Sequence, residues 1–231
     1  MGSSPSKTYA IVVAGGSGTR MGSAIPKQFL LINGQPVLMH TLSAFHHSQT
    51  KPQLILVLHA DFHTYWQELC TQHNFTIPHQ LIKGGETRFH SVKNGLDSVE
   101  DSVDAIVAVH DAVRPLTSKD IIDKSYEQAR LNGNAIAAVQ SRDSIRQVKN
   151  NQSVSLLRDE IYLIQTPQTF KLSQLRKAYE QPFDPKFTDD ASVVEQSGEP
   201  INLIAGSYLN LKITFPQDIE VAELLLKKIN D

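Results

Sequence analysis

The sequence predicts an α/β fold, with a mostly parallel twisted sheet and helices on both faces. Two patterns predict it. Short β-branched runs alternate with stretches of helical spacing from residue 8 to residue 139, the rhythm of βαβ units with right-handed crossovers. A glycine-rich segment, residues 12 to 29, then leaves the first apolar run, where such a sheet places its ligand crevice. The 231 residues, 40% hydrophobic and 20% charged with a net charge of −2, suit one domain with a core of its own. They do not suit a disordered chain, or a polybasic one made for nucleic acid.

Taken in order, TYAIVVA is a buried strand, PVLMHTLSAFHH a helix and LILVLHA the next strand. FHTYWQELCTQH is a helix with Phe62, Tyr65, Trp66, Leu69 and Cys70 on one face. TRFHSVKNGLDSV is helical and AIVAVH is again a buried strand. Thr117-x-x-Asp120 opens a helix whose apolar face holds Ile121, Ile122, Tyr126 and Ala129, and Asn132-Gly133 closes it before a strand over residues 135 to 139. The polar segment SRDSIRQVKNNQSVSLLRDEI, with Asn150-Asn151 at its middle, is a hairpin. It has little to pack against in its own domain, so it either lies flat or reaches another subunit. YLIQ resumes the sheet and Gln165-Thr166-Pro167-Gln168 closes that strand; TDDASVVEQSG is a helix N-capped by Thr188, and INLIAG is a further strand. The last helix follows Pro216, with Ile219, Ala222, Leu225, Leu226 and Ile229 as its core stripe. The expected architecture is Rossmann-like: a single domain over 1–231 with a β-arm over 141–159 inserted in it.

The lone Cys70 cannot form an internal disulfide and reads as a core thiol. MGSSPSK has no apolar signal core, and no run approaches the roughly 18 apolar residues of a membrane span. A cytoplasmic setting without membrane contact is expected.

In VVAGGSGTRMGSAIPKQF, residues Gly15, Gly16 and Gly18 allow backbone N–H groups to approach a polyphosphate, and Arg20 and Lys27 add charge. The spacing is neither that of a dinucleotide fingerprint nor that of a P-loop. Loop and fixed lysine together suit a nucleoside triphosphate held along its length. VHDAVRP puts Asp111 and Arg114 at the carboxyl end of a buried strand, where a carboxylate can organise Mg²⁺. His110 reads as a packed strand residue, and the nine histidines form no zinc pattern.

AGGSGTRMGSAIPKQF resembles the opening signature of nucleotidyltransferases that join a polyol phosphate to an NTP, and its Pro-Lys-Gln-Phe ending resembles the cytidylyltransferases among them. KGGETRFHSVKNGL resembles their second signature, Gly-Gly-x-x-Arg-x-x-Ser-Val. With RDSIR, LLRDEIYLIQTPQTF, TDDAS and NLKIT, the matched motifs run from residue 9 to about 222. Together they resemble the 2-C-methyl-D-erythritol 4-phosphate cytidylyltransferases of non-mevalonate isoprenoid synthesis. Gly15, where that family usually has alanine, is shared with ribitol-5-phosphate cytidylyltransferases, the alternative, whereas RDSIR reads closer to the isoprenoid enzymes. The resemblance implies that Ala14, Gly15, Gly16, Ser17, Gly18, Gly85, Glu86, Arg88, Ser91 and Asp111 bind CTP, Asp111 also serving Mg²⁺. It implies catalytic roles for Arg20, Lys27, Lys212 and Arg158. Arg114, Ser144, Arg158, Thr166 and Thr188 would hold the polyol phosphate, with the arm crossing to the partner of a homodimer.

Overall fold

The structure, a computed structural model, describes residues 6–14, 25–100 and 104–230. β1 (Thr8–Val13) is followed by a small hairpin of β2 (Leu31–Ile32) and β3 (Gln35–Pro36). Next come α1 (Val37–His46), β4 (Gln53–Leu58), α2 (His63–Gln72), β5 (Gln80–Lys83), α3 (Arg88–Asp97) and β6 (Ile106–Asp111). The chain continues through α4 (Lys119–Asn132), β7 (Asn134–Gln140), a second hairpin of β8 (Arg146–Lys149) and β9 (Gln152–Ser155), and β10 (Tyr162–Lys171). It ends with α5 (Leu172–Ala178), α6 (Asp190–Gln196), β11 (Leu203–Ala205) and α7 (Gln217–Asn230).

Seven strands form one sheet in the order β11-β7-β10-β6-β1-β4-β5. β1 is parallel to both β4 and β6, while β10 is antiparallel to β6 and to β7. The chain winds one way from β1 to β4 and β5, and β6 lies on β1's other side. The order therefore reverses between β1 and β6, where Val13 pairs with Asp111. A crevice opens at such a reversal, outside the carboxyl ends of the strands.

Strand alternation decides which helices cover which face. Ala10, Val12, Leu56 and Ala108 point to the side packed with residues of α1, α2 and α4; Tyr9, Ile11, Val57 and Val107 point to the side packed with residues of α3, α5 and α6. On α3, a Cβ added at Gly95 would stand 2.7 Å from Ile11 Cγ2, so the missing side chain lets this helix lie close on the sheet. A third cluster joins Ile32, Val113, Leu116 and Ile213 to Ala222, Ile219, Leu225 and Leu226 of α7; the side chain of Ile229 lies outside the described set. Cys70 packs against the first cluster, and burial pushes its thiol up to about 11. No helix among the described residues is long and apolar enough to cross a membrane.

Three local expectations are corrected. Ser118 rather than Thr117 caps α4, accepting from the Ile121 N–H, because the Thr117 hydroxyl is turned inward to Asn210. Asp189 rather than Thr188 caps α6, in a reciprocal box with Ser192. Strand β10 does not close at residues 165–168 but runs through them, its register against β7 shifting between Ile164 and Gln168. The predicted polar hairpin is present as β8 and β9, fully exposed, with Asn150 and Asn151 at φ of 51° and 60° in its turn.

His110 is a packed strand residue, 0% exposed, with its ring 4.9 Å from that of Phe45. Its Nε2 lies 3.3 Å from the Thr117 hydroxyl, and its Nδ1 has no partner. Burial pushes the imidazole down to about 3, so the folded ring stays neutral where an unfolded one would charge. The stability it contributes is present above pH 6.5 and is lost as pH falls towards 3, by about 2 kcal/mol between pH 7 and pH 5. In denaturant unfolding at these two pH values, His110→Gln should show a loss smaller than the wild type's by that amount. Equal losses would contradict it.

Candidate active site

Asp111 ends β6, and three cations converge on its carboxylate. Lys212 Nζ is 3.0 Å and Arg114 Nε 3.3 Å from Oδ2, and Arg88 Nε is 3.8 Å from Oδ1. Burial alone would raise this carboxyl's pKa, but Arg88, Lys212 and Arg114 together hold it well below the usual carboxylate range. Two of the cations are themselves anchored. Arg88 forms a two-pronged pair with Asp190 at 3.0 and 2.6 Å, and Asp190, 0% exposed, also accepts the Tyr179 hydroxyl at 2.6 Å. Burial would lower the Arg88 pKa, yet Asp190 and Asp111 raise it overall. Arg114 donates to the Asn210 carbonyl at 2.8 Å. Lys212 differs, with a side chain 45% exposed.

The cluster forms one wall of a cleft of about 230 Å³ that is also lined by Ala14, Lys27, Gln28, Glu86 and Val113. Gln28 donates from its side-chain amide to the Ala14 carbonyl at 3.0 Å, tying the start of the glycine-rich segment to the turn that carries Lys27. Beside Glu86, Gly85 packs so closely on α3 that an added Cβ would stand 2.5 Å from His90 Cβ. The Ser91 hydroxyl accepts the Gly85 N–H at 3.0 Å, which fixes the backbone next to Glu86 on α3. Lys27, Arg88, Arg114 and Lys212 stand against Asp111, Asp190 and Glu86, four positive charges to three negative. Such a cleft favours an anionic ligand.

Ala14, Lys27, Glu86, Arg88, Asp111 and Lys212 thus share one cleft, with Gly85 and Ser91 adjoining it. Arg114 and Thr166 lie buried behind Asp111, whose N–H donates to the Thr166 hydroxyl at 3.1 Å. Thr188 is exposed ahead of α6, and Ser144 and Arg158 are exposed on the arm; none of the three lines the cleft. Gly15, Gly16, Ser17, Gly18 and Arg20 lie outside the described residues. The sequence reading missed Gln28, Asp190 and Asn210. All three stand inside recognised motifs, but a buried carboxylate or amide declares its role only through its partner. Among the described residues no group of three or more His, Cys, Asp or Glu could hold a metal. Two carboxylates, Asp111 and Glu86, line the cleft, and Asp111 is the one that the three cations meet.

The chain matches the family model of 2-C-methyl-D-erythritol 4-phosphate cytidylyltransferase over residues 8–228. It is 48% identical over 217 residues to the protein of that name from Bacteroides fragilis, covering 94% of this chain and 98% of the relative. To that of Porphyromonas gingivalis it is 47% identical over 221 residues, covering 95% and 98%. The crystal structure of 4-diphosphocytidyl-2C-methyl-D-erythritol synthase from Anaerococcus prevotii superimposes with a TM-score of 0.82 at 28% identity, covering 96% of each chain. That of the Francisella tularensis cytidylyltransferase gives 0.78 at 35% identity, covering 95% and 99%. With its α/β sheet, its cation-lined cleft and matches along nearly its whole length, the chain belongs to the 2-C-methyl-D-erythritol 4-phosphate cytidylyltransferase family.

Proposed function

We propose that this chain transfers CMP from CTP to 2-C-methyl-D-erythritol 4-phosphate, releasing pyrophosphate and supplying the CDP-methylerythritol of non-mevalonate isoprenoid synthesis. One observation carries this reading for a member of the family: three cations gathered on a buried Asp111, with Lys27 lining the same cleft. Two anions must meet in the reaction, so the site has to neutralise charge before it can position anything.

A phosphate oxygen of the acceptor attacks the α-phosphorus of CTP as pyrophosphate leaves from the opposite side. The acceptor phosphate is already ionised near pH 7, its second pKa being about 6, and no side chain has to remove a proton. The protein's contribution is orientation and fixed positive charge at the oxygens where charge builds. In this reading Lys27 and Lys212 flank the α-phosphate and Arg20 holds the leaving pyrophosphate. Backbone at Ala14 and Gly85, with Glu86 and Ser91, reads the cytosine edge; the remaining glycine-loop residues Gly15, Gly16, Ser17 and Gly18 cradle the phosphates. Asp111 and the phosphate oxygens would hold Mg²⁺, which neutralises phosphate charge when bound.

Arg114, Thr166 and Thr188 serve the acceptor from one subunit, and Ser144 and Arg158 serve it from the arm of the other. The arm supports a homodimer by its chemistry. Val148, Val154, Leu157, Tyr162, Leu163 and Ile164 all stand more than 40% exposed along it and into β10. A run of that kind marks an interaction surface.

Two measurements test the proposal. In a pyrophosphate-release assay with CTP, Mg²⁺ and the acceptor, Lys27→Ala should lower kcat by about 100-fold or more with a much smaller change in CTP affinity; an unchanged kcat would remove Lys27 from its role. Mixing Lys27→Ala chains with Arg158→Ala chains should restore part of the activity, because one site of each hybrid dimer then holds both residues. No recovery under demonstrated subunit exchange would place the whole site within one chain.

A further inference from the structure

Asn210 is 1% exposed, and every polar group of its side chain is engaged. Its Oδ1 accepts the Thr117 hydroxyl at 2.8 Å; its Nδ2 donates to the Thr166 carbonyl at 2.9 Å and to Gln165 Oε1 at 3.2 Å. Its own carbonyl accepts from Arg114. Arg114 in turn pairs with Asp111, whose N–H goes to Thr166. The bonds close a ring, Asp111 to Thr166 to Asn210 to Arg114 and back to Asp111. That ring stitches β6, the middle of β10 and the loop after β11 into one unit.

Lys212 grows from that loop two residues beyond Asn210. On its other side Ile213, 0% exposed, donates its N–H to the Val113 carbonyl at 2.9 Å. The lysine backbone is therefore held between two fixed points, while its charged end reaches the cleft. Of the two anchors, only Asn210 also touches the partners of Asp111.

We propose that Asn210 is a positioning residue for the reaction, its buried side-chain amide setting where Lys212 presents its charge. This rests on the phosphate-facing role proposed above for Lys212. The side chain touches no substrate in this account and acts through others. An amide is what the position demands, because it must accept from one hydroxyl and donate to two oxygens at once. Aspartate has the same size but cannot donate to the Thr166 carbonyl.

The test compares Asn210→Ala, Asn210→Asp, Lys212→Met and the double variant Asn210→Ala/Lys212→Met in the full chain. Pyrophosphate release, CTP affinity by calorimetry and thermal melting are measured for each. Asn210→Ala should lower kcat on the order of 10-fold to 100-fold, the range expected for a displaced charge, with CTP affinity little changed. Asn210→Asp should reproduce that loss, and it carries the test if the alanine variant fails to fold. The double variant should be no slower than Lys212→Met alone. A lowered melting temperature with wild-type kcat would make Asn210 structural only and overturn the proposal, as would losses that multiply in the double variant. An unchanged kcat for Lys212→Met would instead overturn the role of Lys212, and this inference with it.

Discussion

A single buried carboxylate, Asp111, holds three positive side chains that would otherwise repel one another. Without it, Arg88, Arg114 and Lys212 would crowd one end of the sheet, and among the described residues the other carboxylate paired with them is Asp190 behind Arg88. Removing one partner from such a cluster leaves buried charge uncompensated, and the cost is several-fold larger than that of losing a surface pair. With it, positive charge is gathered in the cleft that the proposed reaction needs for a polyphosphate.

The sheet explains why that place is where it is. β1 and β6 pair in parallel, and the chain leaves them towards opposite edges, so Val13 and Asp111 end side by side beneath an open crevice. Antiparallel β10 runs beside β6 in the sheet and supplies Thr166 to the Asp111 N–H. Next to Glu86 of the cleft, α3 leaves Gly85 no room for a side chain. In the proposed reaction the charged wall would face the phosphates of the nucleotide.

Much of this was legible in the chain itself. The continuous apolar runs in TYAIVVA and AIVAVH foretold buried strands, and VHDAVRP, following one of them, put Asp111 at its carboxyl end. Lys27 and Lys212, 185 positions apart by their numbers (212 less 27), could be joined only through motifs, since spacing along a chain says nothing about long-range contact. The strand through residues 165–168 was harder to read. Proline cannot donate to a ladder and reads as a break, but a register shift carries β10 past Pro167. The helix caps slipped by one residue for a related reason. Thr117 and Thr188 each stand beside a better-placed oxygen, and tertiary partners such as Asn210 decide which one turns towards the helix. Buried polar residues such as Asp190 and Asn210 were the least legible, because nothing in a neighbouring residue announces a partner far off in sequence.

The account stands or falls with the charge on Asp111, and the direct measurement is kcat for pyrophosphate release by Asp111→Asn, with the fold checked by circular dichroism. A folded variant that is slower by about 100-fold or more is the predicted result. A folded variant turning over at the wild-type rate would contradict the claim that this carboxylate organises the site.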